Sequence, residues 1–582
     1  MNTPAHATCC PPPPWLADDG PRLTIALLGW ATLSRQAEEG SGYNLNASEL
    51  AIGLADLGHR VHYLCSGLRY GLGPGPSIRR RGTWMGVHQH ELVNSPNLAP
   101  SAINLRNVAR ERHAPRTTAL VLRWLSRIGV QVVHVHSLEG LSLDLIPAIE
   151  AAGIPVVVTT HNYWFLCPQV DLLHREREVC LDYDGGRRCA RCLPAPSPAA
   201  RRLKRRLGQG LASIVGPTLA AQARQAAGAL RHALTPGRDQ EPPPIDRLRY
   251  LGYREPAPGM DPHPDADLPD ARPTYGIVAR PQELPAMPPI LPADTNDRML
   301  ANRDVHLRVL NDYGRRRQEG IAALNAASLV TPPSDFLGRV HEAMGLDPQR
   351  RRTVRLGQPH FDRMHRLAMA LPGYDRPPWT PGDARPLRLG FFGTVRPNKG
   401  LRVLAEAIDR LDPAVRRRCL FLVRAAGGDW AFRKLLADHP QVQFAGGYDL
   451  LQRVASVQEY DVGLLPHIWM ENSPLVLLEH LHAGKAVVAS NLGGPPEWIV
   501  EHQGVRNGLL FPSGDAGALA GCIERIATGQ VPLPSPRQVH AITPHLTSYP
   551  EHLAEVQRIY RDVLAGRAAG ASRPIDEALQ PA

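Results

Sequence analysis

Aromatic residues make up only 5% of this 582-residue chain, and no apolar run reaches the length of about 20 residues that a membrane-spanning helix needs. The opening residues MNTPAHATCCPPPPWLADDG contain no positive stretch followed by an apolar core, which excludes a secretory signal. Recognisable nucleic-acid-binding motifs are also lacking. We therefore expect a cytoplasmic protein that binds no nucleic acid and keeps its nine cysteines mostly reduced.

The bulk composition indicates a globular protein with anionic partners. The length allows two or three domains, and a hydrophobic content of 43% supports real cores. A net charge of +11 favours anionic substrates or an anionic membrane face once nucleic acid is set aside.

Short apolar strands alternate with helical patterns in two blocks, which predicts an α/β fold with two Rossmann-like domains facing an interdomain cleft. The first domain spans residues 22–385, and Ser328–Thr331 and Thr353–Leu356 read as its last strands. The second domain spans residues 386–548 and starts with the strand Leu387–Phe392. A disordered lead (1–21), a C-terminal amphipathic helix (549–566) and a flexible tail (567–582) complete the division.

The first domain carries an unusual insertion. Residues 236–292 contain 15 of the chain's 57 prolines, so we assign about 236–299 to a Pro-rich insertion that is extended or disordered. Residues 199–234, just before it, have a helical pattern with basic residues around an apolar side formed by Leu203, Leu207, Leu211, Val215 and Leu219. This stretch is either a surface helix with a buried leucine stripe or a helix that lies against a membrane.

Residues 462–485, VGLLPHIWMENSPLVLLEHLHAGK, are the most informative segment. A buried strand leads to a helix for which Ser473 is the predicted N-cap and Pro474 the first residue, with Gly484 at the end. Glu471 precedes this helix and Glu479 lies inside it. A helix N-terminus is an anion site, and two flanking carboxylates suit sugar hydroxyls, so the segment indicates a nucleotide-sugar site.

Other polar residues follow predicted strands at the same edge of each sheet. Parallel strands bind ligands beyond their C-terminal ends, which predicts that these residues converge on one cleft. The residues concerned are Gly42, His136, His161, Arg396, Lys399 and Glu471.

The Glu-x7-Glu pair formed by Glu471 and Glu479 resembles the hallmark of retaining GT-B glycosyltransferases, above all those of glycosyltransferase family 4. Ser473-Pro474, Ala483-Gly484-Lys485 and Gly493-Gly494 around the pair strengthen the resemblance. Two positions depart from the family pattern: Thr394 stands where an Arg is usual, and Asn162 stands where an Asp follows the His.

The resemblance implies an enzyme that moves a sugar from a nucleotide-sugar donor to a glycan, lipid-linked or other hydroxyl acceptor, with retention of configuration and a role in polysaccharide biosynthesis. It also implies that the C-terminal domain (386–548) binds the nucleotide sugar, that the N-terminal domain (22–385) is on the acceptor side, and that the C-terminal crossover helix (549–566) returns to the first domain. The resemblance also implies that catalysis needs no cofactor. The alternative is a catalytically silent nucleotide-sugar-binding or scaffold protein of the same fold. The predicted catalytic residues are Glu471, Lys399, Arg396 and His161; the predicted donor-binding residues are Glu479, Asn472, Ser473, Pro474, Leu475, Val476, Thr394, Gly393, Gly42 and Tyr448.

Two further predictions concern a metal and a membrane. Cys167, Cys180, Cys189 and Cys192 have spacings that favour a structural zinc, with free thiols or disulfides as alternatives. The basic cluster 201–206 predicts peripheral, salt-sensitive contact with an anionic membrane, such as the inner face of the plasma membrane.

Overall fold

The computed structural model describes residues 20–33, 42–73, 75–105, 108–192, 198–216, 219, 286–426, 436, 439–445, 448 and 450–569. Nearly all of the predicted lead, most of the Pro-rich insertion (236–285) and the end of the predicted tail (570–582) lie outside these residues.

The N-terminal domain is built on a seven-stranded sheet in the order β3-β4-β2-β1-β5-β6-β9. Its strands are β1 (Thr24–Gly29), β2 (Arg60–Arg69), β3 (Ser77–Trp84), β4 (Val87–Val93), β5 (Val132–Val135), β6 (Val156–Val158) and β9 (Leu329–Val330). All neighbouring strands pair in parallel except β3, which is antiparallel to β4. A small antiparallel hairpin, β7 (Leu173–His174) and β8 (Glu178–Val179), lies outside the sheet.

The C-terminal domain is built on a parallel six-stranded sheet in the order β12-β11-β10-β13-β14-β17. Its strands are β10 (Leu387–Thr394), β11 (Cys419–Ala426), β12 (Val442–Ala445), β13 (Val462–Leu465), β14 (Ala486–Ser490) and β17 (Gly508–Phe511), and the pair β15 (Glu501–His502) and β16 (Val505–Arg506) forms a separate ribbon. The two mainly parallel sheets, in which only β3 among the described strands is antiparallel, confirm the predicted α/β fold class. Strand order reverses beside β1 and beside β10, and parallel sheets bind ligands at such reversals.

Helices cover both sheets. Those of the N-terminal half are α1 (Gly42–Asp56), α2 (Ala109–Arg112), α3 (Pro115–Ile128), α4 (Leu145–Ala151), α5 (Pro198–Val215), α6 (Thr295–Ala301), α7 (Arg303–Leu307), α8 (Asp312–Ala326), α9 (Asp335–Ala343) and α10 (Pro359–Ala370). Those of the C-terminal half are α11 (Leu401–Arg410), α12 (Pro413–Arg417), α13 (Leu450–Ala455), α14 (Leu475–His482), α15 (Ala516–Ala527), α16 (Pro536–Ile542) and α17 (Tyr549–Ala569). None of the helices in the described part of the chain is both long enough and apolar enough to cross a bilayer.

The last helix, α17, packs on the N-terminal domain. Its apolar side chains Leu553, Val556 and Ile559 join the core cluster that also contains Ile25 and Leu50. The Tyr549 hydroxyl donates to the Glu49 carbonyl, and Gln557 pairs with His59 at 3.1 Å. Helix α17, which follows the C-terminal domain in sequence, thus packs against the N-terminal domain.

The segment between the insertion and α6 runs over the C-terminal domain. Leu291 N donates to Ser513 O at 2.9 Å. Asn296, on α6, forms two bonds with the backbone of Gly493, one in each direction, at 2.8 and 2.9 Å. The predicted last strand of the first domain, 353–356, is not a strand: its Val354 amide donates to Pro332 O in an irregular connection that leads to α10.

Helix α5 lies with its polar side on the protein, so the interpretation as a buried leucine stripe is wrong for the two leucines described. Arg202 donates to the Pro96 carbonyl at 2.9 Å, and Arg205 donates to the Gly67 and Ala99 carbonyls at 2.8 and 3.0 Å. Gln209 accepts from Tyr70 N on the same face. Leu203 and Leu207 are 58% and 61% exposed, because backbone carbonyls of the N-terminal domain bind the guanidiniums and turn the leucines outward.

Candidate functional site

Lys399 and Glu471 meet at the end of the C-terminal sheet where strand order reverses. Lys399 follows β10 and Glu471 follows β13, and these strands are neighbours with Leu389 paired to Val462. The Lys399 Nζ lies 2.5 Å from Glu471 Oε1. The Lys399 ammonium also lies 5.2 Å from the centre of the Trp469 ring. Two residues 72 positions apart thus form one charged pair at the ligand-binding edge of the sheet.

A glycine at position 400 lets the two loops touch. Gly400 has φ 75°, and a Cβ there would lie 1.7 Å from the Pro466 carbonyl oxygen. The next contact along the loops is a hydrogen bond from Ile468 N to Asn398 O at 3.0 Å. No other residue type would allow this approach, and the approach sets Lys399 over the loop that carries Glu471.

The Glu471 carboxyl is buried yet ionised. Burial raises its pKa, but Lys399 and then His467 lower it by more, so the pKa lies below its ordinary value. Its backbone is held as well, since Gly494 N donates to Glu471 O at 2.7 Å. A Cβ at Gly493, where φ is 78°, would lie 2.2 Å from that same carbonyl oxygen, which explains the glycine pair that follows β14.

Helix α14 begins one residue later than predicted. Its N-cap is Pro474, in an extended conformation with ψ 125°, and Ser473 makes no capping bond. Ser473 N instead donates to the side chain of Asn472, and Ser473 Oγ is buried without a hydrogen-bond partner in the described structure. The first intrahelical bond is donated by Leu477 N to Pro474 O, which leaves the amides of Leu475 and Val476 outside the helical ladder. This helix end is suited to an anion.

Glu479 is held by protein side chains. Arg453 Nε donates to its Oε2 at 2.6 Å, and His360 Nε2 lies 3.2 Å from its Oε1. Burial opposes the ionised form, but Arg453 and His360 lower the pKa of Glu479 to about 2. Tyr448 lies nearby, with its ring 5.6 Å from that of Phe392. A ribose contact by Glu479 stays a prediction, and it would have to use the carboxylate's remaining lone pairs.

The N-terminal domain brings His161 and Gly42 to the same cleft. The His136 Nδ1 and His161 Nε2 atoms are 2.9 Å apart, and burial is the largest cause that lowers the pKa of His161 to about 3. The Asn472 side chain donates to the His161 carbonyl across the cleft. A Cβ at Gly42 would lie 2.9 Å from the Leu475 side chain, at the start of α14. The structure therefore brings together most of the residues predicted from strand ends.

Arg396, Gly393 and Thr394 lie on the loop that continues β10. Gly393 has φ 157°, and Thr394 is the last residue of the strand. Arg396 lies close enough to Asp171 and Glu176 of the N-terminal domain to lower the pKa of both carboxyls, against the larger effect of burial. Its predicted phosphate contact stays a prediction.

The four predicted zinc ligands lie in one region, but they do not form a coordination site as they stand. Burial raises the pKa of the Cys167 thiol, and Cys189, Cys192 and Cys180 raise it further. Their sulfur atoms are free thiols. Within the described ranges, no three His, Cys, Asp or Glu side chains are placed to share a metal ion. The zinc site stays a prediction.

Sequence reasoning missed four contributors to the site. His467 and Trp469 lie on the loop after β13, and Asn398, whose Oδ1 is buried without a partner in the described structure, precedes Lys399. The rule that ligands bind at strand ends would have found His467, two residues past β13. Arg453, fully buried against Glu479, gives no sequence signal, because its partner lies 26 residues away on another helix.

Two family models match the chain. The model described as Glycosyltransferase Family 4 matches residues 42–214, and the model described as Glycosyl transferases group 1 matches residues 386–528. Together they cover just over half of the chain.

The chain belongs to glycosyltransferase family 4.

Solved structures agree with this assignment at the level of the fold. Sucrose-phosphate synthase from Thermosynechococcus elongatus is 13% identical, with 94% of this chain and 100% of that chain covered and a TM-score of 0.51. The α,α-trehalose-phosphate synthase (UDP-forming) from Burkholderia xenovorans is 12% identical, with 93% and 100% covered and a TM-score of 0.50. No curated protein sequence matches the chain significantly. The predictions of the family, the GT-B fold and a glycosyltransferase enzyme are thus confirmed.

Proposed function

We propose that this glycosyltransferase moves a sugar from a nucleotide-sugar donor to a hydroxyl group of a glycan or lipid-linked acceptor, with retention of configuration. The observation that carries the proposal is the Lys399–Glu471 pair at 2.5 Å, at the strand-order reversal of the C-terminal sheet and across the cleft from His161. A buried ionised carboxylate beside an ammonium suits a reaction in which charge develops on a departing phosphate.

The donor diphosphate fits between the β10 loop and the start of α14. Lys399 and Arg396 supply cations, and the amides of Leu475 and Val476 supply donors at the positive end of a helix. The buried Ser473 Oγ, which lacks a partner in the described structure, provides one more polar contact.

The reaction needs little covalent participation from the protein. The bond from the sugar's anomeric carbon to the phosphate oxygen breaks, the acceptor oxygen bonds to that carbon on the same face, and the acceptor proton passes to the leaving phosphate. Lys399 stabilises the phosphate as its charge grows, while Glu471 holds the ammonium in place. The His161 imidazole is neutral because burial, more than any other cause, lowers its pKa, so it adds polarity at the sugar without a competing charge.

A donor panel tests this proposal. The full chain is incubated with UDP-, GDP- and ADP-sugars, and release of the free nucleoside diphosphate is followed with and without glycan acceptors. We expect release with at least one donor, and a large loss of it in Glu471→Gln. The matched control is Arg410→Met, which removes an exposed cation on α11 of the same domain.

A thermal-shift measurement with the same donors distinguishes a glycosyltransferase from a catalytically silent nucleotide-sugar-binding protein. A ligand at a hundred times its dissociation constant stabilises the fold by about 2.7 kcal/mol. Stabilisation by a donor without any release of product would assign the chain to the silent binding proteins. The proposal would be overturned if no donor stabilised the fold and no donor released a nucleoside diphosphate.

We further propose that the acceptor is reached at an anionic membrane surface through α5. Leu203, Lys204 and Leu207 face outward on this helix, while Arg202 and Arg205 bind the domain beneath it. Exposed leucines beside lysine and arginine are the composition of a helix that lies in a membrane interface. Each basic residue near an anionic leaflet adds about 1 kcal/mol of attraction.

Vesicle co-sedimentation tests the membrane contact. We expect binding to vesicles rich in phosphatidylserine at low salt, weaker binding at high salt, and loss of binding in Leu203→Ser/Leu207→Ser. Leu307→Ser/Met369→Ser is the matched control, because it removes two exposed apolar side chains elsewhere. Equal binding by the two double variants would contradict a role for α5, and a soluble acceptor would then be favoured.

A further inference from the structure

A strongly basic pocket lies on the N-terminal domain, in the segment that contains the four cysteines. Its volume is about 510 Å³, within the ~300–1,000 Å³ range of small-molecule sites. Four arginines line it, together with one histidine and one carboxylate: Arg175, Arg187, Arg188, Arg191, His174 and Asp184.

The positive charge of this pocket is mostly unneutralised. Arg188 pairs with Glu178 at 3.3 Å, and Asp184 lies 3.8 Å from Arg308, which is outside the lining. Within the described part of the chain, the guanidiniums of Arg187 and Arg191 have no carboxylate partner. Arginine forks match carboxylate and phosphate oxygens two at a time, so the pocket is suited to an anion with paired oxygens.

The backbone that leads to these arginines includes several residues in a costly conformation. Five of the nine non-glycine residues with positive φ in the described chain fall between Val170 and Asp184, and Arg175 is one of them, with φ 54°. Such conformations persist only where the surroundings enforce them, and they concentrate at functional sites.

The support comes from the connection between α7 and α8. Leu310 N donates to Gly185 O at 2.9 Å, and the Tyr183 hydroxyl donates to His306 O at 3.1 Å. The Arg317 guanidinium lies 3.4 Å from the centre of the Tyr183 ring and packs against it. The arginines therefore stand on a rigid platform, which lowers the cost of ordering them around a ligand.

The same segment reaches toward the donor loop. Tyr163, two residues after His161, donates its backbone N–H to the Val170 carbonyl at 3.1 Å. Burial raises the pKa of Asp171, just before the β7–β8 hairpin, and of Glu176, in its turn, and both lie close enough to Arg396 for its charge to oppose that rise. The pocket thus belongs to the domain opposite the donor and to a segment that borders the cleft.

We infer that this arginine pocket is an acceptor subsite for a sugar chain that carries carboxylate or phosphate groups. The inference rests on the proposed function, because it names the acceptor class of the same reaction. A charged sugar unit bound there would hold a growing glycan while its terminal hydroxyl enters the cleft.

Direct binding tests the inference without requiring turnover. Hexagalacturonate, which is carboxylated, and maltohexaose, which is neutral, are titrated into the full chain by calorimetry at low salt and at about 0.5 M salt. We expect binding of hexagalacturonate only, and weakening by high salt because salt screens exposed charges. Competition with inorganic diphosphate distinguishes the two kinds of anion. If diphosphate displaces hexagalacturonate strongly, the pocket prefers phosphate groups; if it displaces hexagalacturonate weakly, the pocket prefers carboxylate groups.

Paired variants locate the binding. Arg187→Ala/Arg191→Ala should weaken hexagalacturonate binding about tenfold, since two charged contacts together contribute on the order of 1.4 kcal/mol. Arg187→Lys/Arg191→Lys should restore part of it. The matched control, Arg123→Ala/Arg127→Ala on α3, removes the same charge from an exposed face of the same domain and should bind as the wild type does.

Three results would overturn the inference. They are equal binding of the neutral and anionic sugars, equal weakening in the α3 control, and loss of anionic-vesicle binding in Arg187→Ala/Arg191→Ala with hexagalacturonate binding intact. The last would assign the pocket to lipid headgroups. Failure of the proposed function would be seen in a separate measurement, because the wild type would then release no nucleoside diphosphate from any donor.

Discussion

Replacing Lys399 with methionine tests the site most directly, because it removes one charge and keeps most of the side-chain volume. The Lys399 ammonium lies 2.5 Å from Glu471, and its side chain is 29% exposed, whereas that of Glu471 is 6% exposed. Losing a donor aimed at developing charge lowers kcat by about 10²–10³, or roughly 2.7–4 kcal/mol. We expect a loss of this size in donor turnover.

The same substitution should reverse the pH dependence that Glu471 gives to stability. In the wild type the folded pKa lies below the unfolded value, so the contribution is present above the unfolded pKa and is lost as pH falls. Without Lys399, burial is the largest remaining effect and raises the folded pKa. The contribution is then present below the unfolded pKa and is lost as pH rises.

Melting temperatures at pH 4 and pH 7 measure this reversal. Breaking a buried pair costs about 3–5 kcal/mol, and the partial exposure of Lys399 places the loss at the low end. We expect the difference in melting temperature between the wild type and Lys399→Met to be larger at pH 7 than at pH 4. Arg410→Met, which breaks an exposed pair with Glu406, should cost only about 0.5 kcal/mol. Near-normal kcat in Lys399→Met, or the same difference at both pH values, would refute the reasoning.

Further predictions concern Glu479 and the cysteines. Arg453→Met should destabilise the fold by about 3–5 kcal/mol, because it leaves the Glu479 carboxylate buried without its cation, and Arg453→Met/Glu479→Gln should recover part of the melting temperature. The pKa of Glu479, about 2, lies below the unfolded value of about 4.3, so its contribution is present above pH 4.3 and is lost as pH falls toward 2. Acid unfolding should therefore be steeper in the wild type than in the double variant. The predicted zinc should appear in elemental analysis as one ion per chain that Cys189→Ser removes; four titratable thiols without metal would contradict it.

The cleft could be predicted from sequence because strand ends obey a simple rule. Parallel strands present their C-terminal ends at one edge, so Lys399, Glu471 and His161 could be placed together without any knowledge of side-chain contacts. Glycines at 400 and 493 mark where loops approach closely, although the sequence does not say which carbonyl each one meets.

The wrong predictions concern two helices, α5 and α14, whose orientation or starting residue depends on tertiary contacts. Periodicity assigns the apolar side of a helix to the interior, but in α5 the carbonyls of Gly67 and Ala99 bind Arg205 and turn Leu203 outward. Likewise, Pro474 adopts an extended conformation in α14, so the helix starts one residue beyond the position that capping preferences favour. Local propensity is a weak guide when a long-range hydrogen bond is available.

The paired hydrogen bonds between Asn296 and Gly493 have a consequence for how cleft opening can be observed. Asn296 belongs to α6, which packs against α9 of the N-terminal domain, whereas Gly493 N lies in the C-terminal domain beside Glu471. If α6 moves with α9, separation of the domains breaks this bond, and a protected amide exchanges its hydrogen with solvent deuterium only in the opened state. Deuterium uptake at Gly493 would then report how often the domains part, at a position next to Glu471.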